Sequence, residues 1–353
     1  MAYEIFFQTL LISLSLMGAP NKLKPITVVD APLTLDRGAA KRIFISGFAG
    51  KVQVSSQSKS MQVSIHATRY IEVDDPNSDN ADALRQIAIK TGVVEESFEI
   101  KVQLPPQRSG WNQWAQGKHV PQVKLEISAP DGIPLDIYWT RGDVDVESWH
   151  GSVSVTNQSG DLNLSDITGD VTVKTMFGGA KFENIRGNVN IENFSSHLNL
   201  ASINGRVKLR TFSGETVLKK IKGNLNINSQ KGAVTTQSTD GAMEIQTGLA
   251  AIKILEHQGS IRGHSEAGAI EAKIMGAVDA KLNSVSGPLS IAVPSKSQAN
   301  VSMTTAKGDL VAPKVLERKR SPLGKVVRGN LSGSEQGVLR LTSDSGDLSL
   351  KVH

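Results

Sequence analysis

The chain has 353 residues, of which 39% are hydrophobic and 21% charged, so it can bury a core and does not have the composition of a disordered chain. It contains no cysteine, which excludes disulfides, thiolate zinc sites and cysteine nucleophiles. A net charge of +5 is too weak to indicate nucleic-acid binding, while 32 glycines and only 5% aromatic residues favour thin β-structure over a bulky core.

An apolar run from Ile5 to Leu16 lies near the start of the chain. It is shorter than the roughly 20 residues that a bilayer-spanning helix needs. It is typical of the hydrophobic region of a secretory signal and is followed by the small residues Gly18 and Ala19, although the usual basic residues are missing. We therefore expect residues 1–20 to be a signal peptide. The alternative is a first strand or a buried N-terminal helix.

This interpretation places the mature protein outside the cytoplasm, in the periplasm, associated with the outer membrane or outside the cell. No later segment reaches membrane-spanning length.

Residues 24–140 form a β-rich region without a fixed register. One short helical turn is expected at Asn80–Arg85. We interpret the region as a separate N-terminal domain or as early, irregular coils of the array that follows. Its predicted strands are Val52–Val54, Met61–His66, Ile87–Lys90 and Phe98–Leu104.

A nine-residue repeat begins at Gly142. The second and fourth residues after each glycine are mostly apolar and often β-branched, which predicts a short strand with one buried face. Glycine can adopt positive φ and so permits a tight corner between strands. The glycines of this register are Gly142, Gly151, Gly160, Gly169, Gly178, Gly187, Gly205, Gly214, Gly223, Gly232 and Gly241, and Ser196 fills the one gap.

The seventh position of the repeat has a doubled period. Isoleucine recurs every eighteen residues on one set of units, and Met176, Phe194 and Phe212 recur every eighteen residues on the other. We therefore predict an all-β fold, a β-solenoid with about 18 residues per coil built from two nine-residue arms, whose seventh-position side chains turn into the core. The alternative is an antiparallel meander, which would expose them in its turns.

The regular solenoid is expected over residues 141–294, and C-terminal strands and a cap over 295–353. The last piece, Gly337–Val352, repeats the motif twice and is expected to cap the array. A basic loop at 312–336 interrupts this region. Its cations Arg318, Lys319 and Arg320 are candidates for contact with anionic envelope polymers or lipid head groups, and the alternative is a solvated loop.

Two further features are candidate ligand-binding sites. Trp111 and Trp114 lie in a polar loop and could stack on sugar rings or a partner, or could fold back onto the protein. Asp143, Asp145 and Asp161 form an acidic patch, in which Asp143 and Asp161 should be neighbours on adjacent coils. Such a pair could share a proton, hold a cation or serve polysaccharide cleavage, and the alternative is a solvated face.

No pattern of catalytic or metal-ligating residues is present. Gly263–Ala267 is similar to a nucleophile elbow but lacks its last glycine and its strand–turn–helix context. The seven histidines show no metal-ligand spacing and are expected at the surface. We predict no metal, no cofactor and no enzyme activity.

Two long segments, GDVDVESWHGSVSVTNQSGDLNLSDITGDVTVKT at 142–175 and SIAVPSKSQANVSMTTAKGDL at 290–310, together with the ending TSDSGDLSLKV, resemble the bacterial putative-adhesin family of unknown function. Its members are Gly-Asp-Val repeat β-solenoids of the cell envelope. The resemblance covers residues 142–353 and implies an exported or envelope location, a non-enzymatic role and no catalytic residues.

The predicted function is therefore a non-catalytic, exported β-solenoid that acts as an adhesin or a ligand-binding scaffold. Its candidate partners are cell-surface glycans, envelope polymers or proteins, and not nucleic acid. Two alternatives stay open. One is a β-helix polysaccharide lyase or hydrolase that uses the acidic face. The other is a structural assembly partner, suggested by an acidic segment at 142–195 that is followed by a basic one at 205–231.

Overall fold

The computed structural model describes residues 24–57, 61–73, 78–104, 120–322, 324–331 and 337–353. The expected signal peptide at 1–20 lies outside these residues. The described chain is almost entirely β-structure, which confirms the all-β prediction, and it divides into two compact units, Met1–Lys174 and Thr175–His353. No helix in the described part of the chain has the length and apolar character needed to cross a bilayer.

The first unit contains eleven of the described strands and one helix. They are β1 (Lys24–Val29), β2 (Leu33–Asp36), β3 (Arg42–Ser56), β4 (Gln62–Val73), α1 (Ser78–Arg85), β5 (Ala88–Val94), β6 (Ser97–Gln103), β7 (Gln122–Ala129), β8 (Leu135–Arg141), β9 (Val144–Glu147), β10 (Val153–Ser159) and β11 (Leu162–Ser165).

Strand β3 is long enough to pair with four parallel strands. Its first half pairs with β6 and β8, and its second half pairs with β7 and β9. From β8 and β9 onward the partners are eighteen residues apart, as in Leu135 with Val153 and Val144 with Leu162. Strands β1, β2, β4 and β5 pair antiparallel with their neighbours. Parallel strand pairing therefore starts well before Gly142.

The second unit continues with strands only, among the residues described. They are β12 (Val171–Arg186, which begins in the first unit), β13 (Val189–Asn204), β14 (Val207–Ser213), β15 (Thr216–Lys222), β16 (Leu225–Ser229), β17 (Val234–Asp240), β18 (Met243–Thr247), β19 (Ile252–Gln258), β20 (Ser260–Ser265), β21 (Ile270–Ile274), β22 (Asp279–Ser284), β23 (Leu289–Val293), β24 (Ala299–Thr305), β25 (Leu310–Val311), β26 (Glu317–Ser321), β27 (Gly324–Leu331), β28 (Val338–Ser343) and β29 (Leu348–Val352).

Parallel pairing in the second unit follows two alternating series. Strand β13 belongs to both, because its first half pairs with β14 and its second half with β15. Series A continues through β16, β18, β20 and β22, and series B through β17, β19, β21 and β23. Through β20 the directly paired residues are eighteen apart, as in Val189 with Val207 and Leu198 with Thr216.

The C-terminal strands do not cap this stack as the sequence predicts. Strand β28 lies between β22 and β24 in series A, and β29 lies between β23 and β25 in series B. The last two strands of the chain therefore lie between strands that precede them in the sequence. Any arm of this repeat offers the same strand edge and apolar face, so the repeat pattern alone does not determine the stacking order.

The basic segment predicted as a loop is largely a β-hairpin. Strands β26 and β27 pair antiparallel, and β27 also pairs antiparallel with β24. Val327 and Leu331 face inward and are buried, and Leu316 packs nearby. The hairpin is therefore attached to the core by its own apolar residues. The prediction of a loop rested on the charged residues and did not take these apolar residues into account.

Candidate functional site

Corners of series B contain one residue in the left-handed region as far as β19. In the second unit these residues have φ between 53° and 57° and recur every eighteen positions: Asn184, Ser202, Lys220, Ser238 and Glu256. Each occupies the sixth position of its arm. A left-handed residue interrupts the alternation of an extended strand, so the seventh side chain turns inward. Ile185, Ile203 and Ile221 are accordingly buried, as the sequence predicts.

Corners of series A are built differently. Here the alternation of inward and outward side chains continues through the sixth position, whose side chain points inward. These side chains are small, polar and buried, as in Thr211, Ser229 and Thr247. The Ser229 hydroxyl donates to the carbonyl of Gly232 at 2.6 Å, and the Thr247 hydroxyl donates to that of Ala250 at 2.9 Å. These bonds satisfy backbone acceptors at the corner. Because the sixth side chain points inward, the seventh points to solvent.

This difference corrects the prediction for the second set of seventh-position residues. Met176, Phe194 and Phe212 are 46%, 48% and 41% exposed, not buried in the core. The eighteen-residue period is present in both sets, but the side chains point in opposite directions. The signal that distinguishes them lies one position earlier, where series A has Thr175, Asn193 and Thr211.

The exposed rings form an ordered row, which we call the aromatic row and define as Phe177, Phe194 and Phe212. The rings of Phe194 and Phe212 are stacked at 5.2 Å between centroids, with 5° between their planes. Phe177 meets Phe194 edge-on at 6.1 Å. The ammonium of Lys231 lies 5.3 Å from the centroid of Phe212. The ring faces are thus largely occupied by one another and by a cation, and ring edges remain for a ligand.

An open groove of about 480 Å³ runs beside the aromatic row. Its floor contains Asn193 and Thr211, which are buried and joined by a hydrogen bond of 3.0 Å. Glu192 and Arg210 also line the groove. The buried Oδ1 of Asn193 has no hydrogen-bond donor among the described residues. The groove thus combines apolar ring edges with polar groups of both charges.

The acidic patch has structural partners in the first unit. The Asp143 carboxylate accepts a hydrogen bond from the backbone N–H of Asp161 at 3.0 Å, so the two residues are neighbours. Asp145 is 2.8 Å from the ammonium of Lys51, and this hydrogen bond raises the pKa of Lys51. Asp145 also lines a polar depression of about 300 Å³ with Glu126 and Glu147. Asp143 and Asp161 do not line that depression.

A Ser–Asp–His contact in the first unit has the wrong order for nucleophilic catalysis. The Ser56 hydroxyl donates to Asp131 Oδ2 at 2.8 Å, and His150 Nδ1 lies 2.5 Å from the same oxygen. A catalytic triad needs the histidine between the hydroxyl and the carboxylate. Among the residues described, no three histidine, aspartate or glutamate side chains converge in a geometry that could hold a metal.

The remaining candidate residues divide between described and undescribed parts of the chain. Trp111 and Trp114 lie outside the described residues. Arg318, Lys319 and Arg320 are consecutive on β26, so Lys319 faces the opposite side of the strand from its two neighbours. The Arg318 guanidinium donates to the carbonyl of Ala312 at 3.0 Å. The three cations therefore do not form one contact surface.

One histidine contradicts the expectation that all lie at the surface. His257 is 1% exposed and occupies a seventh position of series B, where the preceding strand has Thr239 and the strand before it Ile221. Its Nδ1 lies 2.9 Å from the Thr239 hydroxyl on the adjacent strand. Burial lowers the pKa of His257 because a charged ring would lose its hydration. It is a core residue and is remote in sequence from the aromatic row.

Comparison with known proteins identifies a family and solved structures of remote similarity. The family model Toastrack DUF4097 matches residues 34–250. No match was found among curated proteins. A putative cell adhesion protein from Clostridium sporogenes is 11% identical, with 94% of this chain and 100% of that one covered and a TM-score of 0.21. A putative lipid binding protein from Parabacteroides distasonis is 12% identical, with 92% and 96% covered and a TM-score of 0.33. A putative adhesin from Parabacteroides merdae is 11% identical, with 72% and 95% covered and a TM-score of 0.23.

Proposed function

Because the chain belongs to the Toastrack DUF4097 family, we propose that it is an exported, non-catalytic scaffold of the cell envelope that binds its partner through the aromatic row. The scaffold is a β-solenoid with eighteen residues per coil and two nine-residue arms. Its partner is an envelope polymer, a cell-surface glycan or a protein that presents apolar groups to the ring edges.

The exposure of the aromatic row is the observation that carries this proposal. Phe194 and Phe212 have 48% and 41% of their surface in solvent, although the opposite corners of the same coils bury their isoleucines completely or nearly so. Leaving two phenylalanines half exposed forgoes about half of the burial free energy of each ring, or about 1 kcal/mol. Contiguous exposed apolar surface of this kind marks interaction sites.

The groove beside the aromatic row supports recognition of a polar partner as well as an apolar one. Glu192 and Arg210 can each form charge-assisted hydrogen bonds. Both the rings and these polar groups are held on paired strands, so little ordering entropy is lost when a partner binds.

The proposal is tested with purified protein and isolated cell envelopes in a sedimentation binding assay. The double substitution Phe194→Ser/Phe212→Ser removes two rings of the aromatic row and should lower the affinity at least tenfold, since each buried aromatic contact is worth more than about 1 kcal/mol. Val315→Ser is the matched control, because Val315 is 70% exposed in the same unit and lies outside the groove. Equal binding by the double variant and the wild type would reject the aromatic row as the contact surface.

A further inference from the structure

A row of cations crosses the outer face of series A in the second unit. The paired registers align Arg262 on β20 with Lys281 on β22, and Lys281 with Arg340 on β28. Arg340 is opposite Ser302 on β24, and Ser302 is opposite Arg328 on β27. Neighbouring strands are about 4.8 Å apart, so this cation row extends over about 19 Å. Its members come from the array, the hairpin and the C-terminal strand β28.

The cation row places like charges next to each other on adjacent strands. Lys281 and Arg340 are directly opposite on adjacent strands, an arrangement that destabilises a sheet. Lys281, Arg340 and Arg328 are all exposed, and none forms an ion pair with another described residue. Only Arg262 is paired, with Asp279 at 2.7 Å. The three unpaired cations are therefore available to an anionic ligand.

The cation row is limited at both ends by acids. Glu244 is opposite Arg262 at one end, and Glu317 is opposite Arg328 at the other. On the same outer face, the nearest residues on either side of the three unpaired cations are mostly uncharged: Val338, Asn300, Asn330, Asn283, Thr342, Thr304 and Val326, with Asp279 as the exception. The positive charge is thus a single line of defined length and not a broad patch.

We infer that this cation row binds a linear acidic polysaccharide that lies along the stacked strands. The strand spacing is close to the advance of one sugar in an extended chain, so carboxylates spaced along such a chain can meet the exposed cations of the row. The neighbouring asparagine and threonine side chains can donate hydrogen bonds to, or accept them from, sugar hydroxyls. The arginines provide the planar forks that suit carboxylates.

Other polyanions fit the cation row less well. A membrane presents a two-dimensional anionic surface, which favours a broad basic patch over a single line with neutral flanks. Single-stranded nucleic acid is bound by grooves that combine cations with aromatic stacking platforms, and the outer residues that flank this row contain no aromatic side chain among those described. The inference goes beyond the proposed role of the aromatic row and does not depend on it.

The experiment measures binding of polygalacturonate, a linear polysaccharide with one carboxylate on each sugar, by titration calorimetry. Lys281→Gln/Arg340→Gln should weaken binding by about tenfold or more, because two charge-assisted contacts to the carboxylates are lost. The matched control is Lys219→Gln/Lys222→Gln, which removes two exposed positive charges from β15 of the same unit. The control should change the affinity less than about twofold.

Three outcomes would overturn the inference. Equal weakening in both double variants would show that only the net charge matters. Binding of uncharged dextran as tight as binding of polygalacturonate would exclude recognition of the carboxylates. Tighter binding of phosphatidylglycerol vesicles or of single-stranded DNA would assign the cation row to another ligand. Phe194→Ser/Phe212→Ser should bind polygalacturonate normally, so this result is separable from the test of the aromatic row.

Discussion

The orientation of the seventh side chain in each arm depends on the residue immediately before it. In series B, as far as β19, that residue is left-handed and the next side chain turns inward, whereas in series A it is a buried hydroxyl or amide and the next side chain points outward. Gly214 shows how little space these corners leave. Its φ is +97°, and a Cβ there would lie 2.1 Å from the carbonyl oxygen of Ser196 on the adjacent coil.

Gly214→Ala should therefore lower the free energy of unfolding by about 3 kcal/mol, since it adds backbone strain to a steric clash. Gly276→Ala is the matched control, because its added Cβ meets no atom within 4 Å and its φ is not positive. Chemical denaturation of the two variants measures the difference. Similar unfolding midpoints would contradict the close packing of neighbouring coils at Gly214.

His257 should make the stability depend on pH. Its pKa in the folded protein is lowered from 6.5 by burial, so the unfolded chain binds the proton more readily. The free energy of unfolding is therefore not reduced by His257 above about pH 6.5. Below that value it falls, because the unfolded chain takes up a proton that the buried ring resists. His257→Ile places at this site the residue found at Ile221 and should remove that part of the acid sensitivity. Unfolding midpoints of the two proteins between pH 7.5 and 5 test this, and parallel curves would contradict it.

At the scale of the strand, the hairpin of β26 and β27 covers the free edge of β24. Strand β24 pairs with β28 on one side and with β27 on the other, and β27 is covered by β26. Within the described residues β26 pairs only with β27, so its outer edge is free to recruit another strand. Charged residues on such a strand discourage association. Arg318, Lys319 and Arg320 therefore have a structural role that does not require a ligand.

Replacing all three by threonine should promote self-association, because threonine favours strands and carries no charge. Sedimentation velocity should show dimers and larger species that increase with protein concentration. Lys208→Thr/Lys219→Thr/Lys222→Thr removes the same charge from β14 and β15, which are already paired on both sides, and should stay at the wild-type size. A triple hairpin variant of wild-type size would contradict the edge role.

At the scale of the whole molecule, the repeat alone predicts most of the fold. The glycines and the alternation of Val189, Ile191 and their equivalents specify parallel strands with one buried face, and the structure has them. The order of the last strands could not be predicted, because β28 has the same alternating apolar face as the strands β22 and β24 that it separates. The cation row was missed because Lys281, Arg340 and Arg328 come together only through that insertion.

The proposed export makes a prediction for the complete chain. If residues 1–20 are a cleaved signal, the protein recovered from cell fractionation should lie outside the cytoplasm, and N-terminal sequencing should begin near residue 21. Replacing Leu10 and Leu11 with glutamate should keep the protein in the cytoplasm, because a charged segment cannot serve as the hydrophobic region. A cytoplasmic wild-type protein that retains Met1 would contradict export.

The stacking of arms eighteen residues apart is the claim on which the surfaces described above depend. The chain has no cysteine, so two engineered thiols report on it without interference. Ala201 and Lys219 are directly paired in series B, whereas Arg210 lies on a series A strand. Dibromobimane, which fluoresces when it bridges two nearby thiols, should therefore cross-link Ala201→Cys/Lys219→Cys and not Ala201→Cys/Arg210→Cys. The reverse result would place neighbouring arms side by side in a meander and contradict the stacked coils.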